Sequence, residues 1–279
     1  MKNEQDQFDP IPERSPDYTP ISADSTDATP PEVIQEQADL LISEHGPKEK
    51  APYFVDYLDP TISLEDRLDG AFGQLQVSKE QQEKILKYLG LLDLKHKETY
   101  RHSIRVGLAA KGIAEHQHLD AKALLYAGLM HDVGKSMIPL STLGKTEGWT
   151  SKDTETMDGH VMKGYELLRD TFDFSAEVIL LHHRFQSRQY PEQLPEPLHE
   201  YADETQNLIQ TYGRILALAD VYDALHRVNE KFGGLQAFSG QQVKEQMLRM
   251  NPDEVALVEE LFAAGVFTTA VYPKKEEGT

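Results

Sequence analysis

From about residue 60 onward, apolar residues recur every three to four positions, the period of a helix that buries one face. The first blocks cover residues 63–72 and 78–92, and in the second Ser78 stands three positions before Gln81, the spacing of a capping box. Further blocks run over 98–116, 121–131, 152–169, 176–183, 204–227, 241–250 and 252–264, with Gly and Pro falling largely between them. No strand series and no internal repeat interrupts this pattern. It predicts an all-α fold, a helical bundle.

The first fifty residues break the pattern. They are rich in Pro, Ser, Thr and acid, as in Asp9-Pro10-Ile11-Pro12 and Thr29-Pro30-Pro31, with twelve acidic and four basic side chains. Such a composition predicts a disordered acidic tail over 1–50. A short amphipathic helix over 31–43 is compatible with it, because Val33, Ile34, Leu40 and Leu41 can share a face and Pro31 suits a first helical turn. The expected organisation is this tail, N-terminal helices at 51–94 packing on the core, a main domain over 95–270 and a flexible end at 271–279. A chain of 279 residues is long enough for that arrangement.

Charge narrows the function. With 28 basic against 47 acidic side chains, the net charge of −19 disfavours a long contact with a nucleic-acid duplex, whose binding draws on phosphate neutralisation. A small phosphate ester remains compatible, since bound cations reverse the local field of an acidic protein. The absence of cysteine leaves imidazole and carboxylate as the strong metal ligands and fits a reducing compartment. No apolar run approaches the roughly 20 residues of a membrane span, and none follows the initial Met-Lys as a leader would. The expectation is a soluble, unprocessed, cytoplasmic chain.

Histidine and aspartate stand at helical positions in five separate segments: His102, the pair His131-Asp132, His160, the pair His182-His183, and Asp220. Helices of a bundle can project such ligands into a shared interior. Five imidazoles and two carboxylates exceed the needs of one four- to six-coordinate ion, which points to two metals with Asp132 as the natural bridge. His131-Asp132 ends the apolar run 124–130, where burial is costly without coordination. Lys135, about one turn on, can place an ammonium on a phosphate held there. Asp220 lies within Ile215-Leu216-Ala217-Leu218-Ala219 and needs a cation for the same reason as Asp132.

Each residue also has a plainer reading. His102, on an amphipathic helix, can be a hydrogen-bonded core histidine, and so can His160, with Gly164 one turn later allowing a close approach of backbone or substrate. His131 and Asp132 can be a satisfied histidine and a helix cap. The adjacent His182 and His183 end the apolar run 178–181, and on a helix they would point about 100° apart, toward two different metals. Asp223, one turn after Asp220, fits an orienting role behind the ligands. Glu98, one turn before His102, can add a ligand and with it a third ion. His45, His96, His116, His118, His199 and His226 lie outside the pattern and read as surface residues.

At these positions the chain resembles the HD superfamily of metal-dependent phosphohydrolases, through His102, the string His131-Asp132-Val133-Gly134-Lys135 and Asp220. It is most similar to the HD-GYP branch, given His160 in HVMKGYELL, the doublet His182-His183, and ADVYDAL over 219–225. The resemblance covers roughly residues 95–265. It implies an all-α domain around a bi- or trinuclear centre, usually of iron or manganese, and hydrolysis of cyclic di-GMP. By position it makes His102, His131, Asp132, His160, His182, His183 and Asp220 metal ligands, Glu98 an additional one, and Lys135 the phosphate-contacting lysine. Zn, Ni and Mg remain open as the ions.

One loop departs from the branch. Where the family has HHE and a glycine-rich stretch ending in GYP, this chain has HHRFQSRQYP, with Arg184 in place of the acid and Tyr190-Pro191 retained. Arg184 and Arg188 can meet phosphate through their planar forks, and Tyr190 completes the candidate substrate contacts; solvated loop arginines are the alternative. An acidic segment at 192–206 then separates the doublet from Asp220 and can shape or shield the site.

The expected activity is hydrolysis of a phosphodiester, such as that of a cyclic dinucleotide, by metal-activated water, with Asp132 and Lys135 as the catalytic pair. An HD hydrolase of another nucleotide or phosphate ester, and a non-catalytic nucleotide- or protein-binding module, are the rivals. A protein partner for the acidic tail and a homodimer are both compatible with the sequence.

Overall fold

The computed structural model describes residues 57–145, 148–186, 188–226 and 238–270. The expected tails at 1–50 and 271–279 and the helix at 31–43 lie outside these residues. Among the described residues every regular element is helical, as the apolar period requires.

The described residues form eleven α-helices in turn: α1 Leu64–Gln74, α2 Lys79–Lys95, α3 Lys97–His116, α4 Ala121–Met130, α5 Leu140–Leu143, α6 Ser151–Asp158, α7 His160–Leu168, α8 Asp173–Ile179, α9 Asp203–Leu225, α10 Gly240–Met250 and α11 Val255–Ala263. A 3₁₀ turn, Val133–Met137, lies between α4 and α5. The starts are set by capping side chains. Ser63 and Ser78 accept the backbone N–H groups of Asp66 and Gln81, Asp120 accepts those of Lys122 and Ala123, and full capping boxes open α6 at Thr150 and α10 at Ser239.

A single apolar cluster unites these helices. Leu68 and Phe72 of α1 and Ile85 and Leu89 of α2 belong to the same core as Ile104 and Ile113 of α3, Leu124 and Leu129 of α4, Leu216 and Leu218 of α9 and Phe267 after α11. The long helices α3 and α9 run through its centre. Where α3 crosses α4, two glycines allow the backbones to meet: a Cβ on Gly128 would lie 2.6 Å from the Cα of Gly107. This crossing places His102 on α3 beside His131, the residue that ends α4.

Two helices expected as continuous are shorter. The block at 152–169 is divided at Gly159, which closes α6 and opens α7, so that His160 is the first residue of a new helix. The block at 176–183 stops at Ile179. Beyond it the chain tightens into turns in which Leu181 N–H reaches Val178 O at 3.1 Å and Arg184 N–H reaches Leu181 O at 2.8 Å. His182 and His183 therefore sit in turns, not on the helix predicted for them. The 3₁₀ turn and α5 carry too few residues for a periodic signal and were not expected.

The crossing supplies a direct test. Gly128→Ala should lower stability by about 1–3 kcal/mol through overpacking against Gly107, read as a shift of the urea midpoint with unchanged slope.

Candidate metal centre

Seven side chains from five parts of the fold converge. α3 brings His102, the end of α4 brings His131 and Asp132, α7 opens with His160, the turns after α8 bring His182 and His183, and α9 brings Asp220. All seven are buried, the most accessible being His183 at 9%. Three sets of ligand atoms, each within 4.8 Å of one another, can hold a metal ion: His102, His131 and Asp132; His131, His182 and Asp220; and His160, His182 and His183.

The ring orientations explain what these atoms are doing. Nδ1–H donates to a carbonyl three residues upstream in three cases: His131 to Gly128 O at 2.8 Å, His160 to Met157 O at 2.6 Å and His182 to Ile179 O at 2.5 Å. His102 lies within α3, where the helix uses its own carbonyls, and its Nδ1 instead meets Asp223 Oδ2 at 2.6 Å. In each ring Nε2 is left as a lone pair directed at the centre. His102 Nε2 and His131 Nε2 face one another at 3.2 Å. With each Nδ1 engaged as the donor, two neutral rings have no proton to share at this contact, and a cation between them satisfies both.

The carboxylates carry the same message. Asp132 Oδ2 lies 3.4 Å from both His102 Nε2 and His131 Nε2, while its Oδ1 lies 3.2 Å from His160 Nε2. One carboxylate thus addresses two groups of imidazoles, the disposition of a bridge. Asp220 Oδ1 stands 3.2 Å from His102 Nε2 and 3.8 Å from His131 Nε2. Asp132 Oδ1, His160 Nε2, His182 Nε2 and His183 Nδ1 are buried with no hydrogen-bond partner. Orphaned acceptors of this kind cost about 1–3 kcal/mol each unless coordinated. The donor set fits divalent metal.

Proton affinities point the same way. Burial drives the His182 ring down to about 3, helped by His131 and His160, and burial beside His182 holds His183 well below its ordinary value. Burial acts to raise the Asp132 and Asp220 carboxyls, yet their neighbours outweigh it: His131, Lys135 and His102 hold Asp132 well below the usual carboxylate range, and His102, His131 and His183 do so for Asp220. His182 and His183 are thus neutral and the two acids ionised, the forms that bind metal.

The remaining candidates occupy distinct places. Lys135, in the 3₁₀ turn, puts Nζ 2.5 Å from Asp132 Oδ2 at the edge of the centre. Tyr190 stacks on His183, with ring centroids 4.3 Å apart, and meets His160 at 6.2 Å. Arg188 pairs with Asp158 and lies over the Tyr190 ring. Arg184 points away from any ligand: its guanidinium donates to the carbonyls of Pro191 and Glu192, at 2.6 and 3.0 Å, and shapes the loop instead. Glu98 pairs with Arg101 at 3.3 Å and belongs to none of the three ligand sets. His226, read from sequence as a surface residue, is fully buried against Tyr222 and Tyr57, with Nδ1 2.7 Å from Tyr222 O.

Gly134 and Gly164 serve backbone approach. A Cβ on Gly134 would fall 1.9 Å from His160 O and 2.4 Å from Gly164 N, so the turn carrying Asp132 lies directly on the first turn of α7. The acidic segment packs behind the doublet. Leu198 N–H donates to Glu177 at 2.8 Å, and a cavity of about 540 Å³ is lined there by Leu180, Leu181, Glu177 and Tyr201.

Asp223 is the centre of a network whose other members the sequence did not announce. Its carboxylate is fully buried and accepts from Arg105 Nε at 2.6 Å and Tyr57 Oη at 2.9 Å besides His102. The one signal for Arg105 is its place three residues after His102 on the same helix face. Tyr57 carried no signal. Burial, then Asp223, pushes its phenol well above the ordinary value, which keeps it a donor.

Residues 99–225 match the HD domain family. HD-domain phosphohydrolases are metal-dependent, and the clusters above are of the kind that binds metal. A cyclic di-GMP phosphodiesterase of Thermotoga maritima is 31% identical over 150 residues, covering 50% of this chain and 38% of the relative. A 3'3'-cGAMP-specific phosphodiesterase of Vibrio cholerae is 29% identical over 165 residues, covering 56% and 29%. The chain therefore spans less than half the length of these curated relatives. The solved HD domain of the L. monocytogenes phosphodiesterase PgpH is similar at a TM-score of 0.42 and 16% identity, over 65% of this chain and 87% of that one. No helix among the described residues is long and apolar enough to cross a membrane.

A pH titration tests the neutral rings. In the metal-free chain the depressed values of His182 and His183 mean that the unfolded state binds more protons below about pH 6.5, so stability should fall as pH is lowered from there toward about 3. Asp132 and Asp220, also depressed, extend the loss below about pH 4. Each group contributes a slope of up to about 1.4 kcal/mol per pH unit, and urea melts of EDTA-treated protein at stepped pH should show it.

Proposed function

We propose that this chain is a metal-dependent phosphodiesterase that opens a phosphodiester of a cyclic dinucleotide. The observation that carries the reading is the buried convergence of acceptors around Asp132, whose two oxygens face different imidazole groups. Two divalent ions satisfy it, with iron or manganese suiting the mixture of imidazole and carboxylate. His102, His131, Asp132 and Asp220 would hold one side, and His160, His182 and His183 the other, with Asp132 shared. Bound metal supplies Lewis acidity toward phosphoryl oxygen and lowers the pKa of water. The relatives' names, cyclic di-GMP and 3'3'-cGAMP phosphodiesterases, support this substrate class.

The chain's own groups do the rest. Lys135 Nζ, tethered to Asp132 and still partly accessible, can turn to a non-bridging phosphate oxygen and offset the charge gathering there. Tyr190 closes the side of His160 and His183 and limits water there. Arg188, at the rim, can exchange Asp158 for a second phosphate. Such a nucleotide substrate belongs to the cytoplasm, where we place the chain.

A specific observation favours an alternative substrate within the same chemistry. The loop that carries Tyr190 is held by Arg184 rather than by glycines, so the surface offered to the base differs from that of the HD-GYP branch. Another nucleotide or phosphate ester would fit this difference.

The purified chain, assayed with Mn²⁺ or Fe²⁺, should hydrolyse at least one of cyclic di-GMP, other cyclic dinucleotides, linear dinucleotides or simple phosphate esters. His131→Ala should abolish that activity and reduce bound metal. Lys135→Met should lower kcat/KM by about 10²-fold while metal content stays unchanged. No bound metal, or activity indifferent to His131→Ala, would sink the reading.

A further inference from the structure

His131, His160 and His182 are aimed by main-chain carbonyls that the fold holds in place. His102 is instead met at Nδ1 by a side chain, Asp223, which can rotate. Four described bonds limit that rotation. Oδ1 accepts from Tyr57 Oη at 2.9 Å and Arg105 Nε at 2.6 Å, and Oδ2 accepts from His102 Nδ1 at 2.6 Å and Arg105 Nη2 at 3.3 Å.

Tyr57 is the remote member of this set. It precedes α1, well ahead of the HD match, and is only 6% exposed. Its ring lies edge-on to Tyr222 at 4.8 Å and tilted against His226 at 4.4 Å, beside the C-terminal end of α9. Phenylalanine would keep those ring contacts. The hydroxyl is a polar group whose burial is costly unless bonded, and its bond goes to the carboxylate that aims a candidate ligand.

We propose that Tyr57 is a positioning residue of the metal centre: its hydroxyl, together with Arg105, fixes the Asp223 carboxylate that orients His102. The N-terminal segment thereby contributes to a site otherwise built within residues 99–225. The proposal rests on the metal-centre reading given above.

The test is a metal-binding cycle on the full chain, stripped with EDTA and titrated with Mn²⁺ and with Zn²⁺. Tyr57→Phe should weaken binding about fivefold, less than the ~10–100-fold that follows loss of a ligand's direct carboxylate partner. Asp223→Asn should weaken it further, and adding Tyr57→Phe in that background should change nothing more, because the two act through one contact. Tyr222→Phe is the control. It removes a buried hydroxyl whose described hydrogen bonds go to Thr268, so metal affinity should stay at the wild-type value.

Wild-type affinity in Tyr57→Phe, additive losses in the double variant, or an equal loss in Tyr222→Phe would each overturn the proposal. If Asp223→Asn fails to fold, the comparison of Tyr57→Phe with Tyr222→Phe decides alone. A wild-type chain that binds neither ion would instead overturn the metal reading itself, and this proposal with it.

Discussion

Lone pairs that face one another in a buried interior are the constraint around which this protein is built. His102 and His131 present Nε2 to Nε2 at 3.2 Å, and Asp132 and Asp220 bring ionised oxygens to the same place. In bulk solvent these groups would separate. Here five stretches of a helical domain hold them together, and each pays part of its folding energy to do so. Only positive charge among them turns the repulsion into cohesion, which ties metal binding to the stability of the core itself.

The bundle achieves this by close backbone contacts on either side of Asp132. Gly107 and Gly128 let α3 and α4 touch, which sets His102 against His131. Gly134 and Gly164 let the turn after α4 lie on α7, which sets Asp132 against His160. The carboxylate reaches two imidazole groups because its own backbone is pinned between two such contacts. Behind the rings, carbonyl partners and Asp223 fix which nitrogen faces inward.

Most of the centre was legible in the sequence because ionisable residues interrupt apolar runs. Asp220 beside the run Ile215 to Ala219, and His131-Asp132 after the run ending at Met130, announce burial, and the structure brings these side chains together. Helical periodicity likewise gave the long elements α2, α3 and α9 nearly to their ends. What escaped it is tertiary or local. The break at Gly159 and the turns at His182 and His183 arise where ring nitrogens take carbonyls at helix ends, and a periodic pattern does not register such a bond. Arg184 is spent on its own loop, His226 is buried under aromatic rings, and Tyr57 arrives from a distant segment; each depends on neighbours that are remote in sequence or outside any apolar rhythm.

The carbonyls that receive His131 and His182 belong to the last turns of α4 and α8, so both helices end at the centre. The C-terminus of an α-helix carries a partial negative charge, roughly half an electron from its aligned peptide dipoles. Two such ends add to the field of Asp132 and Asp220. Where α6 closes and α7 opens beside His160, the two termini oppose one another and largely cancel. The buried centre is thus an electrostatic well for cations and a barrier to anions, so under the proposed function its filling would have an order: metal first, and phosphate only once the sign of the field has been reversed.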